Sequence, residues 1–130
     1  MKTTRFTFKK EERLCSKKLI DKVFEGKKVI HLFPFSIFYQ SCEQDIPYPA
    51  QVLFAVSKKN FKKAVDRNHI KRLCRESYRL YKHNIYDILT KHHKKALLVV
   101  VYNNKEQMSF ETIQSKMQLA IDKTIQQLIK

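Results

Sequence analysis

The sequence contains a single glycine, three prolines, three cysteines and no tryptophan. One glycine is too few for a glycine-rich loop that binds phosphates through backbone N–H groups. The longest unbroken apolar run, Ala96 to Tyr102, is far shorter than the ~20 residues that a membrane-spanning helix needs. Polar and charged residues follow Met1 and Lys2 instead of an apolar segment, so no secretory signal is predicted. We therefore expect a cytoplasmic protein that does not enter a membrane.

Signs of a metal or catalytic centre are also scarce. Cys15, Cys42 and Cys74 are odd in number and form no C-x-x-C pair, so they are expected to be reduced thiols that fill small apolar spaces. The five histidines show no metal-ligand spacing, and His92-His93 is better interpreted as part of a basic helix end. We expect no catalytic residue, no metal site and no organic cofactor, which favours a binding protein over a self-sufficient enzyme.

Positive charge is abundant. The 130 residues carry 27 Lys or Arg against 12 Asp or Glu, a net charge of +15, and 43% of them are apolar. This composition predicts one folded domain, residues 1–130, with an anionic partner. Nucleic acid is the first candidate partner and a membrane surface the weaker second one.

The charge is concentrated between Lys58 and Lys82, where ten Lys or Arg face only Asp66 and Glu76, a net charge of +8. At 100° per residue, a helix here places its basic and polar residues within an arc of roughly 140°. This cationic face comprises Arg67, Asn68, Lys71, Arg72, Arg75 and Arg79. The opposite, apolar side comprises Ile70, Leu73, Cys74, Ser77, Leu80 and Tyr81. A solvated helix face usually mixes charges of both signs, so this pattern favours polyanion binding over a merely solvated surface.

The periodicity of apolar residues and the positions of capping and turn residues predict the other elements. Residues 1–12 are either a frayed basic arm or a short strand. Ser16 is expected to cap a helix over residues 17–25, and Gly26 is expected to end that helix at positive φ. Alternation predicts a strand from Phe35 to Ser41, with residues 43–49 as a hairpin loop. A short apolar strand over residues 51–57 precedes the basic helix, which runs from residue 62 or 64 to 82. A further helical segment over residues 84–92 continues or follows it. A buried strand over residues 96–102 and a helix capped by Ser109 complete the chain. The order α-β-β-(β)-α-β-α, with one strand left open, predicts an α+β or α/β two-layer sandwich.

Aromatic residues provide a second candidate surface. Ile20 and Phe24 project from the first helix, and Phe38 lies on the more polar side of its strand. Single-stranded nucleic acid is commonly held by stacking on such rings beside a cationic groove. The alternative, that Ile20 and Phe24 belong to the core, is equally compatible with the pattern, and Phe38 is the better candidate for stacking.

The run from Ala55 to Arg79, AVSKKNFKKAVDRNHIKRLCRESYR, closely resembles the signature of bacterial ribonuclease P protein subunits. Weaker resemblance extends to Arg13 to Lys27 and to the FPFSIFYQ and ALLVVVY strands. The resemblance implies an auxiliary subunit of an endoribonuclease whose catalysis resides in RNA. Such a subunit assists removal of the 5′ leader from precursor tRNA, with Mg²⁺ held mainly by the RNA. The implied partners are the catalytic RNA and precursor tRNA, with no stable protein partner.

The resemblance also implies roles for individual residues. The implied contact with the catalytic RNA consists of Arg67, Asn68, His69, Lys71, Arg72, Arg75 and Arg79. The implied leader-binding cleft consists of Ile20, Phe24 and Phe38, together with Lys58 and Lys59. The implied fold has a small, mostly antiparallel sheet and a left-handed βαβ crossover through the basic helix, an exception to the usual handedness.

This sequence departs from the family pattern at three places. His69 replaces the second arginine of the Arg-Asn-Arg motif, Lys62-Lys63 stands where many relatives have Gly-Asn, and Ile20 replaces a common aromatic. Two other functions stay open from the residues alone. One is a ribosomal or ribosome-assembly protein, and the other is a DNA-binding protein that places the basic helix in a major groove.

Overall fold

The computed structural model describes residues 8–130, which form three α-helices and a four-stranded sheet after a short 3₁₀ turn at Lys10–Glu12. The elements are α1 (Lys17–Glu25), β1 (Val29–Leu32), β2 (Phe35–Ser41), β3 (Ala50–Val56), α2 (Ala64–Lys91), β4 (Ala96–Tyr102) and α3 (Phe110–Leu128). The predicted α+β order is confirmed, and β1, directly after α1, is a strand that the residue patterns had not predicted separately. The two predicted segments at 62–82 and 84–92 form one continuous helix, α2.

The strands are arranged in the order β1-β2-β4-β3. The β1–β2 and β2–β4 pairs are antiparallel and the β3–β4 pair is parallel, which is the mostly antiparallel sheet expected. Parallel neighbours need a long crossover, and α2 provides it as the predicted left-handed β3–α2–β4 connection. The prediction of a hairpin at residues 43–49 is wrong, because β4 lies between β2 and β3 and the loop must pass across its end.

Alternation along the strands divides the apolar residues between two faces. On β4, Leu98 and Val100 join the main core under α2 and α3, whereas Leu97 and Val99 face the other way. The second face packs against Leu19 and Val23 of α1, and this short helix covers only part of it. The sheet and the α2/α3 layer are therefore the two predicted layers, and the face that carries α1 stays partly open.

The ends of α1 are set by local sequence. The Ser16 hydroxyl accepts a hydrogen bond from the Leu19 N–H, so the predicted cap is confirmed. The prediction for Gly26 is wrong: its φ is −69°, and the next residue, Lys27, has φ 55°. A side chain at this position would have to displace the end of Gln40, because a Cβ on Gly26 would lie 2.6 Å from Oε1 of Gln40.

The buried side of α2 changes direction along the helix. Ile70, Cys74 and Ser77 are buried as predicted, but Leu80 is 41% exposed. Tyr78 and Lys82 are buried although the helical projection places them in the cationic arc. A different part of the chain therefore covers the second half of α2.

That part is the segment of residues 8–14. Phe8 packs edge-on against Tyr78 and Phe54 on the α2 side of the sheet, while Leu14 belongs to the apolar cluster on the α1 side. Between them the chain follows the edge strand, since Arg13 forms a parallel bridge with Val52. This segment covers backbone groups that an edge strand would otherwise expose. Residues 1–7 of the predicted arm or strand lie outside the described residues.

Candidate nucleic-acid interface

Residues 57–63 connect β3 to the first turns of α2, which carry the start of the cationic face. The Arg67 guanidinium donates to the carbonyl oxygens of Phe61 and Lys62, both at 2.8 Å. Because guanidinium has five N–H donors, Arg67 can join this connection to the helix and still offer donors to a ligand. Arg67 therefore has a structural role that the sequence pattern did not indicate.

The other predicted interface residues of α2 differ in exposure. Asn68, His69 and Arg72 are exposed, and Lys71 and Arg75 are half-buried along the same side of α2. These five side chains emerge from consecutive turns of one rigid helix. Such an arrangement can neutralise several phosphates of a polyanion without reorganising the backbone.

Towards its C-terminal end the cationic face is partly neutralised. Arg79 donates to the Glu76 carboxylate at 2.7 Å, an intrahelical ion pair. Lys82, which contributes to the charge of the basic stretch, is buried and paired with Glu12. The exposed positive charge of α2 is therefore concentrated between residues 67 and 75.

Lys58 and Lys59 lie in the turn that leaves β3 and leads to α2, and both are exposed. The Lys59 N–H donates to the Ser57 hydroxyl at 3.1 Å, which shapes this turn. Both lysines thus stand at the carboxyl end of β3, next to the partly open sheet face and before the cationic turns of α2. This position fits a link between the two candidate surfaces.

The structure brings the three predicted cleft residues together on the α1 side of the sheet. The rings of Phe24 and Phe38 have centroids 5.0 Å apart at an interplanar angle of 56°, and Ile20 packs with Phe38 on the same apolar cluster. Phe24 is 44% exposed and Phe38 is half-buried, so the preference for Phe38 as the more accessible ring is not supported. Phe24 offers the larger free ring surface for stacking.

Sequence reasoning missed the floor of this cleft. Strand register places Phe38, Val99 and Leu53 in one row across the sheet and Ser36, Val101 and Ala55 in the next. Leu53, Ala55 and Val101 are half-buried, so the floor is apolar and accessible. Alternation on β3 and β4 could have identified these residues, but only once the strand order was known. Beyond Ser36, Nδ1 of His31 lies 2.9 Å from the Ser36 hydroxyl and extends the second row with polar groups.

The pKa shifts of Cys74 and Tyr86 have structural causes. Burial raises the pKa of the Cys74 thiol from 9.0 to about 12, which fits the prediction of an inert apolar filler. Burial also raises the pKa of Tyr86, whose hydroxyl donates to Glu12 at 2.7 Å. In residues 8–130, no three His, Cys, Asp or Glu side chains come together as a possible metal site, and no helix is long and apolar enough to cross a membrane.

Comparison with known proteins decides the family. The sequence model of the ribonuclease P family matches residues 8–125, which include every residue of the candidate interface. The chain belongs to the ribonuclease P protein family. Among similar proteins named ribonuclease P protein component, one from Porphyromonas gingivalis (strain ATCC 33277) is 33% identical over 116 residues, which covers 89% of this chain and 85% of the relative. Another from Legionella pneumophila (strain Corby) is 46% identical over 74 residues, covering 57% of this chain and 62% of the relative.

Solved structures of ribonuclease P proteins share the fold. The protein from Thermotoga maritima superimposes with a TM-score of 0.65 at 26% identity, covering 84% of this chain and 94% of that one. A Staphylococcus aureus RNase P protein mutant, described as defective in mRNA degradation activity, superimposes with a TM-score of 0.70 at 20% identity. The match covers 88% of this chain and 89% of that one. The crossover through α2 and the partly open sheet face thus belong to an architecture seen in ribonuclease P proteins.

Proposed function

We propose that this chain is the protein subunit of ribonuclease P, which binds a catalytic RNA and the 5′ leader of precursor tRNA. In this role it assists endonucleolytic removal of the leader and does not cleave RNA by itself. The observation that carries the proposal is the family match over residues 8–125. The two surfaces described above support a division of the RNA contacts between α2 and the cleft.

The α2 face suits a folded RNA. Its exposed cations and Asn68 project from one rigid helix, so they can contact phosphates in a fixed register. The His69 imidazole can still form hydrogen bonds, although it lacks the permanent charge of arginine. We assign this face to the catalytic RNA subunit.

The cleft suits a single strand. Phe24 provides a half-exposed ring, Phe38 supports it from below, and Leu53 and Val101 provide an apolar floor. Aromatic stacking tolerates any base, which a leader of variable sequence requires. Lys58 and Lys59 at the end of β3 can hold the backbone where the strand approaches the catalytic RNA.

The donor groups of the described residues do not fit a metal centre, since no three ligating side chains converge there. We therefore propose that Mg²⁺ is held mainly by the RNA subunit. The protein contributes positive charge, which lets the RNA bind substrate at a lower magnesium concentration. Of the alternatives, a helix-turn-helix DNA-binding protein is disfavoured because strand β3, and not a short helix, precedes α2.

A three-arm cleavage assay tests the proposal, with catalytic RNA alone, protein alone and both together on a 5′-labelled precursor tRNA. We expect cleavage by the RNA alone at high magnesium, a large gain from the protein at low magnesium, and none from the protein alone. A fourth arm replaces the protein with the Lys71→Ala/Arg72→Ala/Arg75→Ala variant. This variant should lose most of the increase in cleavage that the wild-type protein gives at low magnesium. Cleavage at the mature 5′ end by RNA-free protein, or no gain at any magnesium concentration, would refute the proposal.

A further inference from the structure

A second concentration of positive charge lies at the other end of the sheet from Lys58 and Lys59. There α2 ends in the basic sequence Lys91 to Lys95, and Lys28 stands at the start of β1. Lys28, Lys94 and Lys130 line one cavity of about 320 Å³. They come from three separate parts of the chain, so the tertiary structure alone brings them together.

The lining of this cavity is cationic and rich in hydrogen-bonding groups. Besides the three lysines, Tyr39, Ser41, Gln127 and Leu128 line it. None of the side chains that line it is a carboxylate, and no ion pair of the Lys28, Lys94 or Lys130 side chains is found in residues 8–130. The nearby Lys95 differs, because Asp45 and the Ile46 carbonyl accept hydrogen bonds from it.

Ammonium groups that line one concave surface repel each other, and salt screens this repulsion only beyond the Debye length of ~8 Å at physiological salt. An anion in the cavity would remove this repulsion. Hydroxyl and amide donors beside lysines suit a phosphodiester, whose oxygens accept hydrogen bonds. A cavity of about 320 Å³ is at the lower end of the size range of ligand sites.

The position of the cavity relative to α2 indicates which RNA it suits. Tyr39 and Ser41 share a strand face with Phe35 and Ile37, so the cavity opens on the side of the α2/α3 layer and not on the side of the α1 cleft. The cationic face lies near the start of α2 and Lys94 lies just beyond its end. A helix of 28 residues is ~42 Å long. Only a large folded polyanion can contact both sites at once.

We propose that the cavity lined by Lys28, Lys94 and Lys130 binds the phosphate backbone of the same folded RNA that contacts the α2 face. The inference rests on the proposed function, because it assumes such an RNA partner. It assigns a role to the basic end of α2, and it makes the interface with the large RNA bipartite. The leader in the α1 cleft would not reach this site.

The test compares the variant Lys28→Ala/Lys94→Ala/Lys130→Ala with a control of equal charge, Lys105→Ala/Lys116→Ala/Lys123→Ala, from the β4–α3 loop and α3. Binding to the catalytic RNA is measured from 50 to 400 mM salt, and binding of a leader oligonucleotide is measured in parallel. Each phosphate that the variant no longer neutralises should lower the slope of log K against log salt by ~0.7 to 0.9. For the catalytic RNA, we expect the slope of log K against log salt to fall by about 2 in the cavity variant and by less than half of that in the control. Binding of the leader oligonucleotide should stay unchanged.

Equal slopes for the two variants, or a loss confined to the leader oligonucleotide, would overturn this inference and leave the proposed function standing. If the wild-type protein does not bind the catalytic RNA at all, the proposed function fails and this inference fails with it. Lysine acetylation footprinting of the wild-type protein gives a measurement that is independent of folding in the variants. Lys28, Lys94 and Lys130 should be protected by the catalytic RNA, and acetylation at free-protein rates would count against the site.

Discussion

Lys82 on α2 donates to both carboxylate oxygens of Glu12, at 2.8 and 2.6 Å, although 70 residues separate them in sequence. Their side chains are only 4% and 1% exposed, and Tyr86 donates a further hydrogen bond to the same carboxylate. This pair holds the segment of residues 8–14 against α2. It links the edge of β3 to the helix that carries the cationic face.

Removing one member of this pair should destabilise the protein strongly, because the remaining charge stays buried without its partner. We expect Lys82→Met to lower the free energy of unfolding by about 3 to 5 kcal/mol, and Glu12→Leu/Lys82→Met to recover more than half of that loss. Urea denaturation measures both. Lys95→Met, which breaks an exposed ion pair with Asp45, is the control and should cost much less. A similar cost for Lys82→Met and Lys95→Met would show that leaving the buried Glu12 carboxylate without Lys82 carries no special penalty.

The α2 face should be tested at Lys71, Arg72 and Arg75 and not at Arg67, whose guanidinium also holds the β3–α2 connection. Each Ala substitution at the three positions should weaken binding to the catalytic RNA and reduce the salt slope by ~0.7 to 0.9 for each phosphate it ceases to neutralise. Filter binding across a salt series measures this, with Lys123→Ala on α3 as the control. Unchanged slopes in the triple variant would exclude this face as an RNA-binding surface.

The cleft makes a distinct prediction. Phe24→Ala should weaken binding of precursor tRNA by the assembled complex by ~1 to 3 kcal/mol, because a stacking surface is removed, and should hardly affect mature tRNA. Phe24 is 44% exposed, so its substitution should disturb the fold less than Phe38→Ala. Leu119→Ala, on the exposed side of α3, is the control. Equal losses for precursor and mature tRNA would argue against leader stacking.

Stability should fall at alkaline pH, partly through Cys74. Burial raises the pKa of this thiol from 9.0 to about 12, so between these values the unfolded chain loses a proton that the folded protein keeps. Its contribution is complete below pH 9 and declines above it by about 1.4 kcal/mol per pH unit. Cys74→Ala should make the decline between pH 9 and 10 shallower, as measured by urea unfolding at each pH. An identical decline in both proteins would show that the thiol is not the titrating group.

Local sequence was sufficient for most of the elements. The 100° periodicity of residues 67–81 and the alternation of residues 35–41 predicted α2 and β2, because these patterns arise from backbone geometry alone. The caps at Ser16 and Ser109 were predicted for the same reason, since each hydroxyl bonds a backbone N–H three residues later. All seven predicted α2 interface residues keep at least part of their surface accessible, although Arg67 and Arg79 also bond to other groups of the protein.

Contacts between distant segments decided the rest. Strand order is set by which edges meet, so the placement of β4 between β2 and β3 could not be obtained from alternation within either strand. Lys82 has the same charge as its neighbours on the helix, and only the arrival of Glu12 from another part of the chain makes it a buried ion pair. The cavity around Lys28, Lys94 and Lys130 likewise depends on three remote segments converging. The periodicity of a segment shows which of its faces is apolar. The burial of a given side chain, the pairing of its charge and the floor of the cleft depend on which distant segments the fold brings together.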